Sequence, residues 1–156
     1  MRLYLSQHAQ ALSKEENSLR PLSDQGREDV VRTGGFLSLF ERPKPTRIVH
    51  ANKLRAEQTA QMFAEAWGCD CTEENADLSP DSDPSIWTSR LLEVHEDIML
   101  VGHLPHLSRL AGLLLCDNAD RQVIRFRNAG VSCLERTENQ WSLCWQIHPT
   151  LFYPHD

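Results

Sequence analysis

The sequence predicts an α/β fold, a three-layer α/β/α domain with a mostly parallel central sheet and an antiparallel C-terminal part. Two observations carry this prediction. Short apolar runs alternate with helical patterns over residues 2–116, and the chain after residue 122 shows strand patterns only. Alternating strands and helices are typical of a parallel sheet covered by helices on both faces. The 156 residues contain no recognisable linker, so we expect a single domain over residues 1–156.

The predicted strands are short apolar or β-branched runs bounded by polar residues, glycine or proline. The clearest is 97–103, in which Ile98 to Val101 are apolar on both faces, as in a central parallel strand. The other predicted strands are 2–6, 47–51, a weak edge strand over 69–72 and, in the antiparallel part, 123–126, 131–135 and 141–147.

Four helices are predicted from apolar residues at helical spacing and from their end signals. The first follows the N-cap Ser23 and runs to about Phe40, although Gly34 and Gly35 are expected to weaken it. The other predicted helices are 55–67, which Gly68 ends, 84–95 and 107–116. Apolar positions assigned to the first and third helices include Val30, Val31, Leu37, Phe40, Ile86, Trp87, Leu91 and Leu92.

The bulk properties exclude several function classes. A formal net charge of −6 argues against nucleic-acid binding, which requires a basic face. The five cysteines lack the spacing of a disulfide framework or a zinc site, which favours reduced thiols. The longest apolar run, 110–116, is far shorter than the roughly 20 residues that span a bilayer, and no signal peptide pattern is visible. We therefore expect a cytoplasmic protein without a membrane partner.

Residues suited to catalysis follow three of the predicted strands. Two strands end in a histidine, in Ser6-Gln7-His8 and Val101-Gly102-His103, and the strand 47–51 ends shortly before Arg55 at the start of a helix. The carboxyl ends of parallel strands meet at one edge of a sheet, where ligands bind in open α/β folds. Two imidazoles and a guanidinium beside a helix N-terminus would form an anion site, most naturally for phosphate.

This combination can perform phosphoryl transfer without a metal. A neutral imidazole is a competent nucleophile towards phosphorus and can carry the group as phosphohistidine. Positive groups can then replace the ion that neutralises the phosphoryl oxygens. His106, three residues after His103, could suggest a metal pair, but no acid or third ligand accompanies it in the sequence. We expect neither a metal nor a cofactor.

Several motifs resemble the histidine phosphatase (phosphoglycerate mutase-like) superfamily, and within it the short phosphohistidine phosphatases of the SixA type. The resemblance covers nearly the whole chain and rests on motifs that are specific in combination. They are Gln7-His8-Ala9, Arg20-Pro21-Leu22-Ser23 with Gly26, Leu54-Arg55-Ala56-Glu57-Gln58-Thr59, Val101-Gly102-His103-Leu104-Pro105 and Trp145-Gln146-Ile147-His148-Pro149.

The resemblance implies a phosphoglycerate mutase-like fold and a role for each matching residue. His8 would be the nucleophile, Arg55 would clamp the phosphate oxygens, and His103 would stabilise the transition state. Gln7 and Arg20 would help to bind phosphate or substrate. The substrate would be phosphohistidine on a signalling or phosphocarrier protein, and inorganic phosphate would be the product.

The first motif departs from the family pattern. Relatives read Arg-His-Gly where this chain has Gln7-His8-Ala9, so a permanent positive charge is lost beside the nucleophile. Hydrogen bonds to charged groups are worth roughly 1.5–3 kcal/mol and neutral ones about 0.5–1.5 kcal/mol, which predicts a penalty of about 1–2 kcal/mol. Gln10 also stands where short relatives often carry an acid.

Three alternatives stay open at this point. A phosphate- or phosphoprotein-binding module could have lost turnover because Gln7 replaces arginine. A small-molecule phosphomonoesterase is disfavoured by the missing acid and the missing insertions of larger relatives. A plain interaction domain does not explain the imidazoles and the guanidinium at matching strand ends. His50 is predicted to lie near the pocket without a role, and His95, His148 and His155 are predicted on the surface or in the tail.

Overall fold

The central feature of the fold is one six-stranded mixed sheet. The computed structural model describes residues 1–154, so His155 lies outside the described residues. In chain order the strands are β1 Arg2–Gln7, β2 Arg47–His50, β3 Thr72–Glu74, β4 Ile98–Gly102, β5 Val131–Thr137 and β6 Gln140–Ile147. Their order across the sheet is β3-β2-β4-β1-β5-β6. The first four strands in this order are parallel, and β5 and β6 continue the sheet as antiparallel strands, which confirms the predicted architecture.

Four α-helices cover the sheet and contribute to a single core. They are α1 Asp24–Leu39, α2 Leu54–Trp67, α3 Ser85–Leu92 and α4 His106–Cys116. Helices α1 and α2 pack together, as do α3 and α4. With right-handed crossovers, this order of strands places α1 and α2 on one face and α3 and α4 on the other. All five residues of β4 are buried, as expected of the strand in the middle of a three-layer domain.

The chain changes direction across the sheet between β1 and β4. After β1 it moves through α1 to β2 on one side, and after β4 it moves through α4 to β5 on the other side. The two strands are neighbours, and Gln7 at the end of β1 pairs with Gly102 at the end of β4. This is the topological switch point at which open α/β sheets form a crevice for ligands.

Two elements differ from the prediction by three residues at one end, and one predicted strand is wrong. The edge strand is Thr72–Glu74 rather than 69–72, and the third helix ends at Leu92 rather than at residue 95. Residues 123–126 form no strand. Ile124 and Phe126 are buried, which explains the alternating pattern in the sequence, but the segment itself is irregular. Asn128, two residues after it, forms a β-bridge with Gln7.

The apolar positions predicted for the helices were only partly correct. Val30, Leu37, Trp87 and Leu91 are buried, whereas Val31, Phe40, Ile86 and Leu92 are exposed. The paired glycines do not interrupt α1. A Cβ at Gly34 would lie 3.2 Å from that of Ala66, so the missing side chain allows α1 to approach α2 closely. No helix in the described part of the chain is long and apolar enough to cross a membrane.

Candidate active site

Three of the predicted site residues meet at the carboxyl ends of β1, β2 and β4. His8 follows β1, His103 follows β4, and Arg55 lies in the first turn of α2, which begins soon after β2. The His8 and His103 rings lie 4.9 Å apart between centroids. The Arg55 Nε atom donates a hydrogen bond to His8 Nε2 over 3.3 Å. The parallel register of these strands therefore produces the convergence that the sequence predicts.

The hydrogen bonds of His8 define its tautomer. Its Nδ1 lies 2.7 Å from the carbonyl oxygen of Ala9, which can only accept, so Nδ1 carries the proton. The Nε2 lone pair then faces Arg55. Burial is the main cause that lowers the pKa of His8 to about 4. The charges of Arg55 and Arg20 act in the same direction, and the hydrogen bond to Ala9 opposes them. His8 is therefore neutral at pH 7 and presents an unprotonated nitrogen to the site.

His103 is a buried imidazole with an unused polar atom. The residue is 3% exposed, and its Nε2 has no hydrogen-bond partner within residues 1–154. Burial is the main cause that lowers its pKa to about 3, and the neighbouring His8 and Arg55 act in the same direction. Buried polar atoms are rarely left unpaired in native proteins. An anion bound between the two rings would give this nitrogen an acceptor.

Cations surround the two imidazoles. Burial and then the charge of Arg20 lower the pKa of Arg55, and Lys53 contributes to the low pKa of His103. No salt bridge in the described part of the chain involves Arg20, Lys53 or Arg55. A cluster of positive groups that repel each other, with no carboxylate nearby, is typical of an anion-binding site.

Arg20 reaches the cluster from the loop before α1. Its Nε donates to the Leu12 carbonyl oxygen over 3.0 Å, and its backbone has a positive φ of 50°. The loop is held by Gln58 of α2, whose side-chain oxygen accepts from the Leu22 backbone N–H over 2.8 Å. Arg20 therefore acts on His8 and Arg55 through its charge, while a side-chain nitrogen bonds to its own loop.

The first turns of α2 organise the site more extensively than the sequence predicted. Besides Arg55 and Gln58, Thr59 contributes a buried hydroxyl that joins two elements. It accepts from the Ala9 N–H over 3.0 Å and donates to the Arg55 carbonyl oxygen over 2.7 Å. Thr59 belongs to the motif that contains Arg55, but nothing in the sequence indicates that its hydroxyl joins two elements.

A second supporting residue, Asn128, comes from the loop before β5. Its Nδ2 donates to the His8 carbonyl oxygen over 2.7 Å, and the next residue, Ala129, donates from its N–H to the Gln7 carbonyl oxygen over 3.1 Å. No local signal identifies Asn128 in the sequence, because its partner lies 120 residues away.

Gln7 lies beside the imidazole cluster and lines a pocket of about 400 Å³. The residues around this pocket are Gln7, Gln10, Gln25, Asp29, Leu104, Phe126, Arg127, Asn128, Pro149 and Thr150. Asp29 is its carboxylate and was not among the predicted site residues. Its Oδ1 accepts from Gln25 Nε2 over 2.9 Å and from the Tyr153 hydroxyl over 2.5 Å.

The remaining histidines have separate surroundings. His50 at the end of β2 is 6% exposed, and its Nδ1 lies 3.0 Å from the Ala51 carbonyl oxygen. His106 is fully buried in α4, and neither of its ring nitrogens has a partner among residues 1–154. His95 is exposed, as predicted, whereas His148 is only partly exposed. Within the same residues no group of three potential ligands could hold a metal ion.

Solved structures share this arrangement of strands and helices at low sequence identity. A protein histidine phosphatase SixA complexed with tungstate has a TM-score of 0.84 and 20% identity, covering 98% of this chain and 100% of that chain. The chain has the histidine phosphatase fold. A protein from Agrobacterium tumefaciens assigned as a phosphohistidine phosphatase SixA has a TM-score of 0.77 and 21% identity, with 95% and 97% covered.

The same fold occurs in phosphatases of small molecules. A protein from Escherichia coli strain K-12 assigned as an alpha-ribazole-5'-P phosphatase has a TM-score of 0.74 and 16% identity, covering 92% of this chain and 94% of that chain. No protein-family model matches the sequence, and no curated protein is significantly similar to it. At these identities the comparison establishes the histidine phosphatase fold, and the function must be argued from the site.

Proposed function

We propose that this chain is a metal-independent phosphohistidine phosphatase that acts through a phospho-His8 intermediate. The observation that carries the proposal is the state of His8. Its Nδ1 proton is held by the Ala9 carbonyl group, its Nε2 atom lies 3.3 Å from Arg55 Nε, and its ring centroid lies 4.9 Å from that of His103. A neutral imidazole held in this way meets the needs of a nucleophile that attacks a bound phosphoryl group.

In the first step, the phosphoryl group of the substrate binds among Arg55, His103 and Arg20. The His8 Nε2 lone pair attacks phosphorus, the P–N bond to the substrate imidazole breaks, and that imidazole leaves with the electron pair and takes a proton from solvent. In the second step, water attacks phospho-His8, inorganic phosphate leaves, and Nε2 regains its lone pair. Fixed positive groups aimed at the equatorial oxygens stabilise the charge of both transition states.

The low pKa values of His8 and His103 support this sequence of steps. His8 must be unprotonated to attack, and its pKa of about 4 ensures that it is at neutral pH. A bound phosphoryl group introduces negative charge beside His103, which favours the protonated form of that imidazole. His103 can then donate from its buried Nε2, which has no partner within residues 1–154, to a phosphate oxygen.

A phosphohistidine on another protein is the substrate that we favour. The structure of a protein histidine phosphatase SixA covers 98% of this chain, with a TM-score of 0.84. No carboxylate bonds to His8 or His103 among the described residues, and a P–N bond to imidazole breaks with less help from an acid than a P–O bond. Signalling or phosphocarrier proteins in the cytoplasm are therefore the proposed partners.

A small-molecule phosphomonoesterase is the second candidate. It is supported by the likeness to the Escherichia coli protein and by Asp29, a carboxylate on the wall of the adjoining pocket. A phosphate-binding module with weak turnover is the third, and the glutamine at position 7 is the observation in its favour.

Turnover of two substrates distinguishes these candidates. The wild type and His8→Ala are incubated with a phosphohistidine-bearing protein and with p-nitrophenyl phosphate, and exposed His95→Ala serves as the matched control. We expect faster release from the protein, loss of both activities in His8→Ala, and acid-labile phosphate trapped on His8 in the wild type. Dephosphorylation that survives His8→Ala would falsify the nucleophile assignment. Tungstate binding without turnover would favour the binding module.

A further inference from the structure

Arg127 is an exposed arginine that has no role in the proposed reaction steps. It lies in the loop between α4 and β5, one residue before Asn128. Asn128 forms a β-bridge with Gln7 and donates its side-chain N–H to the His8 carbonyl oxygen. The backbone of Arg127 therefore lies close to Gln7, the last residue of β1, and to His8, which follows it.

Arg127 and Gln7 share one pocket. Both residues line the cavity of about 400 Å³. Arg127 forms no salt bridge within residues 1–154. Asp29, the carboxylate of this pocket, accepts instead from Gln25 and the Tyr153 hydroxyl. Arg127 is thus a cation that forms no ion pair with a carboxylate, and it lines the same pocket as Gln7.

The charge of Arg127 also acts on the segment that follows β6. Burial and then the charge of Arg127 lower the pKa of His148. The two residues after His148, Pro149 and Thr150, line the same pocket. Arg127 is therefore set between the segment that follows β1 and the segment that follows β6.

We propose that Arg127 supplies the positive charge that Gln7 does not, and binds the phosphoryl oxygens at His8 from the loop before β5. This inference rests on the proposed function, because it assumes that His8 receives a phosphoryl group. A guanidinium carries several N–H donors in a planar fork, which suits phosphate oxygens, and it stays charged at every physiological pH. The amide of Gln7 supplies a neutral donor, and Arg127 restores the charge of the site from another position in the sequence.

A double-mutant cycle tests whether the two positions compensate for each other. The variants are Arg127→Gln, Gln7→Arg and the double variant, and kcat/KM for the phosphohistidine-bearing protein is measured together with tungstate affinity by calorimetry. We expect Arg127→Gln to lower kcat/KM by about 10- to 100-fold, the range for losing one charged donor to a phosphoryl oxygen. In the Gln7→Arg background the same substitution should cost less than about 3-fold, because the charge is already present.

Arg125→Gln is the matched control. Arg125 is an exposed arginine two residues earlier in the same loop, and it does not line the pocket of Gln7. Its substitution removes the same charge from the molecule and should leave kcat/KM within about 2-fold of the wild type, as for most surface changes.

The outcomes separate this inference from the proposed function. An unchanged kcat/KM and tungstate affinity in Arg127→Gln overturns the inference while leaving the phosphatase intact. Equal losses in both backgrounds, or an equal loss in Arg125→Gln, also overturn it, because compensation requires a specific and background-dependent effect. If the wild type turns over no substrate, weaker tungstate binding in Arg127→Gln still supports the inference, although the proposed function has failed.

Discussion

At the scale of single residues, one buried hydroxyl connects the nucleophile to its phosphate clamp. Thr59 Oγ1 accepts from the backbone N–H that follows His8 and donates to the carbonyl oxygen of Arg55. The residue is fully buried, so water cannot replace it. A buried donor that loses its acceptor costs about 1–3 kcal/mol. Thr59 therefore affects both stability and the position of His8 relative to Arg55.

We predict that Thr59→Val lowers the free energy of unfolding by about 1–3 kcal/mol, because the Ala9 N–H loses its acceptor while the side-chain shape is kept. It should also lower kcat more than it raises KM, since the reacting groups are less well positioned. Urea denaturation and steady-state kinetics provide the measurements. Thr88→Val is the control, because the Thr88 hydroxyl donates only to the Ser85 carbonyl oxygen on α3. Equal effects of the two substitutions would contradict the prediction.

Residues identified from the sequence were those whose position follows from local patterns. His8, Arg55 and His103 each follow a strand or begin a helix, so the parallel sheet alone brings them together. Asn128 and Arg127 could not be identified in this way. The bond of Asn128 to His8, and the pocket that Arg127 shares with Gln7, depend on the path of an irregular loop 120 residues later in the chain. Residues 123–126 of this loop were wrongly predicted as a strand.

At the scale of elements, α1 contains glycines with three different surroundings. Gly34 allows contact with α2, as described above. At Gly26, in the first turn, a Cβ would lie 2.1 Å from the Gln10 carbonyl oxygen. At Gly35 a Cβ would meet nothing within 4 Å, and the residue is exposed. The sequence pattern predicts that each glycine lowers the stability of the helix by a similar amount. Only tertiary packing distinguishes the three positions.

Gly26→Ala and Gly35→Ala should therefore have opposite effects on stability. Gly26→Ala forces the Gln10 backbone and the start of α1 apart, which we expect to cost about 1–3 kcal/mol as overpacking. Gly35→Ala improves helix propensity in an open position and should gain about 0.4–1 kcal/mol. Urea denaturation measures both free energies of unfolding. Equal stabilities of the two variants would show that α1 does not approach the Gln10 loop as closely as described.

At the scale of the whole molecule, the switch point explains why the site lies where it does. The chain leaves β1 towards one edge of the sheet and leaves β4 towards the other, so a crevice opens between neighbouring strands. Both residues that border it, His8 and His103, are histidines. The topology was predictable from the alternation of strands and helices. The electrostatic state of the crevice was not, because burial within the assembled domain is the main cause of the low pKa values.

Three histidines with lowered pKa values make the stability of the protein sensitive to acid. Burial is the main cause that lowers the pKa of His8 to about 4, of His103 to about 3 and of His106 to about 4. For His106, Arg109 acts in the same direction and Asp77 and Asp83 oppose it. The unfolded chain, in which histidine has a pKa near 6.5, binds more protons than the folded chain below that value. The contribution of these three neutral histidines to the free energy of unfolding is therefore complete above about pH 6.5. It is lost as the pH falls towards 4 and 3.

We predict that the melting temperature falls by roughly 10–25 °C between pH 7 and pH 4.5, because the three lowered histidine pKa values together correspond to about 6–8 kcal/mol at pH 4.5. Sulfate, a phosphate-like anion whose charge is constant over this range, should bind the folded site and favour the protonated forms of His8 and His103. The decline with pH should therefore be smaller in sulfate than in chloride of equal ionic strength. His106→Leu should reduce the decline in both salts, because His106 lies outside the anion site. Scanning calorimetry across this pH range measures all these effects, and a melting temperature that declines equally in sulfate and chloride would contradict anion binding at His8 and His103.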